Sequence, residues 1–450
     1  MKRGISEQTV LFVSILKWFL LASAVGAIVG LTTGFFLRLL DVASASAERF
    51  SLYYLLLPPA LFLSALLVKY LAPEAEGHGT EKVIEAIHRR SGRIPIQVVP
   101  VKLTATIITL AAGGSAGKEG PCAQIGAGMS SLFADLLRFD EGDRVKLVVC
   151  GISAGFASVF GTPIAGSIFG VEVLFVGSMM YNVLLPSFVA GITAYQVSSA
   201  IGVTYFHSGV GVLPPFSESL MLTVVAAGVF FGLCSVFLIE LLKLGESLSK
   251  RLHVWSPLKG LLGGSVLVVL ALIFSTRYLG LGLPTVEAAL RGDPTPWYAF
   301  LLKPIFTSTT LSFGGSGGIV TPIFFIGSTA GSAFAQLFHQ SLAIFAAIGL
   351  VSLLAGAANT PIAASILSVE LFGPAIAPYA TVACVISFLM TGHRSVYPSQ
   401  ILSISKSKSL DVELGREIDQ VHTSYEPRGH TLLGALDSAR NWIRQLFSRP

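Results

Sequence analysis

Two matched twelve-residue stretches decide the fold, GTPIAGSIFGVE at residues 161–172 and NTPIAASILSVE at residues 359–370. They are identical at 8 of 12 positions and lie 198 residues apart. A second matched pair precedes them, GGSAGKEGPCAQIGAGMSSLF at 113–133 and GGSGGIVTPIFFIGSTAGSAF at 314–334, with 9 identities in 21 positions. A repeat of about 200 residues is too long for a solenoid unit and is typical of the duplicated halves of a transporter or channel.

The composition indicates that lipid is the solvent of this chain. Of its 450 residues, 53% are hydrophobic and only 12% are charged, and the mean hydropathy is +0.74. Several long runs with little charge reach the roughly 20 residues that a helix needs to cross hydrocarbon. The runs are 10–39, 52–68, 180–201, 220–241, 261–274 and 375–390. The sequence therefore predicts an all-α polytopic membrane protein.

The repeat also predicts how the two halves are arranged. About seven apolar elements separate the matched segments, and an odd number of crossings turns the second half upside down relative to the first. We therefore expect an inverted repeat in which broken helices meet at anion sites near the middle of the membrane. The predicted divisions are an N-terminus at 1–9, a first membrane half at 10–201, a connecting loop at 202–219, a second membrane half at 220–403 and a polar tail at 404–450.

Basic residues at the two ends of the chain predict its orientation. Lys2, Arg3 and the cations of the tail place both termini in the cytoplasm by the positive-inside rule, and we expect the inner membrane of a prokaryote as the location. Within the tail, apolar residues recur at helical spacing over 432–447. This pattern predicts a helix that lies on the bilayer or against the protein.

The first helix break contains the residue best suited to handle an ion. The pentapeptide Gly117-Lys118-Glu119-Gly120-Pro121 precedes a helix-like run, and the N-terminal amides and dipole of such a helix attract anions. An ionisable residue inside an apolar segment is costly unless it is paired or functional. The Glu119 carboxylate can occupy such a site itself and leave when it is protonated or displaced. The alternative is that it pairs with Lys118 or caps the helix.

Two further breaks supply candidate ligands. At 317–322, GGIVTP repeats the glycine-then-proline pattern, and the amides of Ile319 and Val320 are potential anion donors without a buried charge. At 76–80, His78 lies between two glycines ahead of a predicted helix. On the sequence alone, His78 fits a loop residue as well as it fits a ligand.

Glu172 and Glu370 are the acids that both copies of the repeat keep at one position. Each fits a proton-relay group inside the membrane, or one of a pair of structural acids that hydrogen-bond to broken backbone. We favour the structural role, because a position retained in both halves serves the architecture common to them.

Several other function classes find no support in the sequence. The net charge of +5 is not accompanied by the interleaved aromatic and basic residues that predict nucleic-acid binding. The four cysteines lie singly in apolar segments, so we expect neither disulfides nor a metal site, and no cofactor. HExxH, GxSxG and paired intramembrane aspartates are missing, so a cation transporter or an intramembrane enzyme is the disfavoured alternative from another class.

Taken together, the motifs resemble those of the CLC family of chloride channels and proton-coupled anion exchangers, over about residues 10–406. GKEGP at 117–121 is the most specific element. The family's GxGxP motif is similar to GHGTE at 77–81, its GxFxP motif is similar to GIVTP at 318–322, and its late pore tyrosine is similar to Tyr397. Four similar sites in the family's order make a coincidental match implausible.

The resemblance implies a CLC-type helical inverted repeat, a homodimer with one pore per subunit, and a role for each matched residue. Glu119 would be the gating glutamate, and Tyr397 would donate its hydroxyl to the central anion. The implied anion-binding residues are His78, Gly117, Lys118, Gly120, Gly318, Ile319, Val320 and Tyr397. The expected activity is chloride transport across the bilayer, without enzymatic chemistry.

Departures from the family pattern leave alternatives open. The second glutamate that delivers protons from inside in family exchangers is replaced by Val173, which resembles the channel branch. We therefore expect a channel, with a proton-coupled exchanger that uses another proton route as the alternative. His78 replaces the serine usual in chloride-selective members and keeps a fluoride-selective exporter open. Val320 and Glu81 replace the usual phenylalanine and proline, and the tail is too short for paired regulatory nucleotide-binding domains.

Overall fold

Helices make up most of the structure, a computed structural model that describes residues 2–205 and 217–426, with side chains from Glu7 onward. Sixteen α-helices lie in these ranges. The first eight are α1 (Lys2–Glu48), α2 (Leu57–Leu71), α3 (Thr80–Arg90), α4 (Val98–Ala111), α5 (Glu119–Leu136), α6 (Glu141–Phe160), α7 (Pro163–Glu172) and α8 (Leu184–Ala200). The second eight are α9 (Glu218–Arg251), α10 (Ser256–Ile273), α11 (Leu283–Arg291), α12 (Ala299–Ser312), α13 (Val320–Leu337), α14 (Leu342–Ala358), α15 (Pro361–Phe372) and α16 (Ala377–Met390).

The helices of the two halves correspond one to one and in order. The matched segments form α5 and α13, which have 18 residues each, and the helices before them, α4 and α12, have 14 each. Seven helices, α6 to α12, separate α5 from α13 in the described ranges. The predicted inverted-repeat fold with broken helices is confirmed.

Several helices are long and apolar enough to cross a membrane. Six spans meet this description within the described residues, and a further four apolar helices are shorter. The six are Glu7–Glu48, Tyr53–Leu71, Tyr181–Ala200, Glu218–Arg251, Ser256–Ile273 and Val320–Leu337. Most residues of Val320–Leu337 are buried inside the protein, whereas Glu7–Glu48 is largely exposed at the protein surface. The prediction of a multi-pass membrane protein is confirmed.

The predicted divisions shift slightly at their ends. Helix α1 begins at Lys2, so the residues before Val10 continue a helix and do not form a separate segment. Helix α8 ends at Ala200 and α9 begins at Glu218, on either side of the predicted loop. Residues 206–216 of that loop and the helix predicted over 432–447 lie outside the described residues.

Two short strand pairs lie where the second membrane half passes into the tail. Strand β1 (Phe175–Val176) pairs in parallel with β2 (Ile401–Leu402), and β3 (Leu410–Asp411) pairs antiparallel with β4 (Ser424–Tyr425). Arg89 at the end of α3 donates to Glu417 with an Nε to Oε1 distance of 2.8 Å. That hydrogen bond lowers the pKa of Glu417 below its ordinary value. We call the face of the membrane domain that carries these contacts the tail side.

Helices α7 and α15 exchange their N-terminal caps. Both begin with Thr-Pro, and neither threonine side chain caps its own helix, so the first amides need another acceptor. Glu172 accepts from the N–H groups of Ile362 and Ala363 at 3.0 and 2.7 Å.

Glu370 repeats this arrangement from the other half. It accepts from the N–H groups of Ile164 and Ala165, again at 3.0 and 2.7 Å. Each acid thus stabilises the positive end of the opposite half's helix, which joins the two halves at symmetry-related points.

Candidate functional site

The three helix breaks meet at one point. Gly117 and Gly318, equivalent in the repeat, exchange two backbone hydrogen bonds with N to O distances of 2.7 and 2.6 Å. A Cβ atom built on Gly120 would lie 2.0 Å from the carbonyl oxygen of His78 and 3.1 Å from the Cα of Gly318. Since a real Cβ cannot approach backbone so closely, glycine is required at position 120 for the breaks to converge.

Glu119 occupies this meeting point. It is 2% exposed, and its carboxylate accepts from the N–H of Thr321 at 3.1 Å and from the Thr321 hydroxyl. Thr321 is in the first turn of α13, so the carboxylate of one half lies at the positive end of a helix of the other. A Cβ atom on Gly117 would lie 2.4 Å from Oε2 and 3.0 Å from the Thr321 nitrogen, so a side chain there would displace the carboxylate from this position.

The backbone amides at the two matched breaks divide into two groups. The N–H groups of Gly117 and Gly318 are used by each other's carbonyls and are not free for an anion in this state. The N–H groups of Ile319 and Val320 have no hydrogen-bond acceptor among the described residues, although both residues are 1% exposed. Buried N–H groups are rarely left without an acceptor, so these two amides are open to a small ligand.

A cavity of about 550 Å³ leads to Glu119 from one side. Glu119 and Thr321 form its floor, and Lys118 lies on its wall with Arg291. The wall also carries the acids Asp41 and Glu287, so charges of both signs surround the opening. We call this space the outer cavity.

A group of unpaired polar atoms lies on the tail side of Glu119. The structure has eleven buried side-chain polar atoms without a hydrogen-bond partner in its described part, and four of them belong to one group. They are His78 Nδ1, Thr80 Oγ1, Glu81 Oε2 and the Tyr397 hydroxyl. The His78 and Tyr397 rings are 5.7 Å apart between centroids. We call these four residues the inner cluster.

The inner cluster is open to small ligands. A buried polar group without a partner costs about 1–3 kcal/mol, so four such groups together favour water or an ion as their partner. The negative charges of both Glu119 and Glu81 act on the Tyr397 hydroxyl, so the cluster adjoins Glu119. The predicted ligands His78 and Tyr397 therefore lie together, next to Glu119.

Sequence comparison agrees with this architecture. The family profile described as "Voltage gated chloride channel" matches residues 60–392. The chain belongs to the CLC family. A "Chloride/fluoride channel protein" of Pseudomonas syringae pv. tomato is 38% identical over 430 residues, which cover 93% of this chain and 94% of the relative.

Solved CLC structures share the fold. The crystal structure of a CLC-type fluoride/proton antiporter has 30% identity and a TM-score of 0.82, and it covers 86% of this chain and 98% of the other. A slow cyanobacterial Cl⁻/H⁺ antiporter, at 23% identity, has a TM-score of 0.72 over 83% of this chain and 94% of the other. Anion transport by a CLC-type membrane protein is thereby the general function of the chain.

Val173, which the resemblance aligns with the internal glutamate of family exchangers, has no proton-binding side chain. Val173 is fully buried, and its carbonyl accepts from Gln400 Nε2 at 2.7 Å. The neighbouring Glu172 is engaged by the amides of α15. Neither residue therefore offers a free carboxylate beside the anion path.

Two buried lysines were missed from the sequence. Lys102 Nζ donates to the carbonyl of Gly77 at 2.6 Å and to that of Ala75 at 3.1 Å, and so supports the break that carries His78. Lys303, 201 residues later, donates to the carbonyl of Gly280 at 2.8 Å. Both lysines are 0% exposed. The sequence signal that could have identified them is a lysine at equivalent positions of two apolar segments.

Thr321 was also missed. It aligns with Gly120 in the repeat, and the sequence marks it only as the residue before Pro322. Its hydroxyl and N–H hold Glu119 from 202 positions away. Only the folded arrangement of the two halves brings this pair together.

Proposed function

We propose that this protein carries a small monovalent anion across the membrane and that Glu119 gates the pathway. The observation that carries the proposal is the engagement of its carboxylate by the N–H and hydroxyl of Thr321, between the outer cavity and the inner cluster. An anion in transit needs the same donors, so carboxylate and anion compete for one place. Protonation of Glu119 removes its charge and weakens its hold on these donors.

We take fluoride as the principal anion and chloride as its competitor. The side chains along the path offer hydroxyl and imidazole groups, on Thr80, Thr321, Tyr397 and His78. Fluoride is the smallest halide and is strongly hydrated, so it needs strong hydrogen-bond donors in exchange for its water. The names of two relatives, one a channel and one an antiporter, both include fluoride.

The transport mode we propose is exchange of the anion for a proton. A gate that must be protonated to release its donors takes up a proton in each cycle, and that proton is coupled to the anion if it leaves on the other side. A channel is the second candidate, because Val173 removes the family's internal proton carrier. The two modes differ in whether protons move against the anion.

A homodimer is part of the proposal. Helices α7, α8, α15 and α16 expose large apolar side chains around the point where α7 and α15 exchange caps. These side chains are Ile164, Leu185, Ile192, Ile362, Val385 and Leu389. A chain mass of 47.5 kDa predicts a particle of twice that protein mass in light scattering of the detergent-solubilised protein. A monomeric particle in mild detergent would refute the dimer.

Flux from liposomes tests the transport proposal. Purified protein is reconstituted in liposomes loaded with fluoride or chloride at neutral pH, and an ion-selective electrode and a pH electrode record release together. Protein-free liposomes correct for the leak of HF. We expect fluoride to leave faster than chloride, with protons moving in the opposite direction.

The outcomes separate the parts of the proposal. No release of either anion would overturn transport itself. Fluoride release without proton movement would refute exchange and favour the channel, and faster chloride release would refute the fluoride preference.

A further inference from the structure

Glu81, the carboxylate of the inner cluster, takes no part in the gating proposed for Glu119. Glu81 is the second residue of α3, and its side chain reaches the segment that carries Tyr397. Its Oε1 accepts from the N–H of Ser399 at 3.0 Å and from the Ser399 hydroxyl. Its Oε2 is buried and has no partner among the described residues.

The surroundings of Glu81 suit a group that changes its proton. The hydroxyls of Thr80 and Tyr397 interact with each other but make no well-formed hydrogen bond, so the space beside them favours water. Hydrogen-bonded water is the medium through which a proton crosses distances that side chains cannot. The charges of Glu81 and Glu119 both act on the Tyr397 hydroxyl, so both carboxylates adjoin this space.

Glu81 also has access to the aqueous phase on the tail side. The residue is half-buried, and α3 continues from it to Arg89, which is paired with Glu417 of the tail. Its charged neighbours are Lys82 and Glu85 on the same helix.

The other charges nearby leave Glu81 as the one carboxylate of the inner cluster. Glu85 is paired with Lys82 at 2.9 Å and with Arg89 at 3.6 Å. The charges of Lys82 and Lys102 act on His78, and the charge of Lys82 also acts on Glu81.

We propose that Glu81 is the tail-side proton-transfer residue of this protein and replaces the carboxylate missing at Val173. In the step, the Glu81 carboxylate takes a proton from hydronium and releases water. The proton then passes through the water of the inner cluster to the Glu119 carboxylate, which becomes neutral, and Glu81 returns to its ionised form. This inference rests on the proposed anion–proton exchange.

Substitution of Glu81 tests the inference in the fluoride-loaded liposomes. In Glu81→Gln, which removes the titratable group and keeps its size, we expect proton counterflow per fluoride to fall at least tenfold while fluoride is still released well above the protein-free leak. Glu85→Gln is the matched control one helical turn away, and its coupling stays native. Glu81→Asp keeps a carboxylate and retains at least a third of the native coupling.

Several results would overturn the inference. Native coupling in Glu81→Gln would remove Glu81 from the proton path. Equal loss of coupling in Glu81→Gln and Glu81→Asp, or loss of fluoride flux together with protons, would assign Glu81 a structural role. If the native protein releases fluoride without any proton movement, this inference and the exchange mode fail while anion transport stands.

Discussion

Gly117 and Gly318 form a two-hydrogen-bond bridge between the halves of the protein, one residue from each copy of the repeat. The bridge fixes the two helix breaks against each other at the site where Glu119 contacts Thr321. Because each glycine uses both the donor and the acceptor of its peptide backbone, the bridge leaves the amides that follow it as the ones available to an anion. The same backbone bridge therefore joins the two halves and positions Glu119 beside Thr321.

Replacing Glu119 tests the gate directly. In Glu119→Gln the side chain keeps its size but cannot gain or lose a proton. We expect anion flux to change and most of its pH dependence to disappear, with proton counterflow below about a tenth of the native value. Flux is measured at several pH values in the same liposomes. Native flux with a native pH response would contradict the gate assignment.

The fold could be predicted from the sequence because the two copies of the repeat agree at the positions where the structure is most constrained. Glycine and proline survive in both copies at the breaks, and the acids Glu172 and Glu370 survive because each caps a helix of the other half. The site was only partly accessible. Glu119 can be recognised as a charge in an apolar segment. Thr321 and Glu81 cannot, because they contact partners that are hundreds of residues away in the sequence.

The exchanged helix caps make a second prediction. In Glu172→Gln or Glu370→Gln, one helix N-terminus loses a charged acceptor that takes two backbone N–H bonds. We expect each variant to lose about 1–3 kcal/mol of stability against chemical unfolding in detergent, because bonds to charged groups are the stronger ones. The two variants serve as controls for each other, since their geometry is the same.

The same variants distinguish the structural role from a proton relay. A structural acid leaves the ratio of protons to anions unchanged in whatever protein remains folded. Loss of that ratio at native stability in Glu172→Gln would contradict the capping role and support a relay.

The tail contact between Arg89 and Glu417 predicts a pH dependence. The hydrogen bond from Arg89 lowers the pKa of Glu417 below its ordinary value of 4.5, so the folded state favours the ionised form. The stabilising contribution is therefore fully present above pH 4.5 and is lost as the pH falls through the lowered value. Since the Arg89 side chain is half-exposed, we expect no more than about 1 kcal/mol from this pair.

Hydrogen–deuterium exchange of the tail strands measures this effect. Protection of β2 and β3 should be constant from pH 8 to 5 and fall only in more acidic solution. Glu417→Gln should lower the protection already at pH 7, whereas Glu413→Gln, which removes only an exposed pair with Arg416, should not. Loss of protection near pH 6 in the native protein would contradict the assignment to Glu417.

We expect a substitution of His78 to change the anion preference of the protein. Its Nδ1 is buried without a partner among the described residues, and its ring lies 5.7 Å from the Tyr397 ring between centroids, which places His78 in the inner cluster. In His78→Ser the imidazole is replaced by a small hydroxyl, which widens the path and removes an N–H donor. A larger anion gains from the space, while fluoride loses a close partner.

We therefore expect the fluoride-to-chloride flux ratio of His78→Ser to fall about tenfold, equivalent to about 1.4 kcal/mol of discrimination. The chain offers its own control in Leu281, which lies between Gly280 and Gly282 as His78 lies between Gly77 and Gly79, with Lys303 on Gly280 as Lys102 is on Gly77. Leu281→Ser makes the same side chain in the break of the other half, away from Tyr397, and should leave the ratio native. An unchanged ratio in His78→Ser, or an equal fall in both variants, would remove His78 from the selectivity of the pathway.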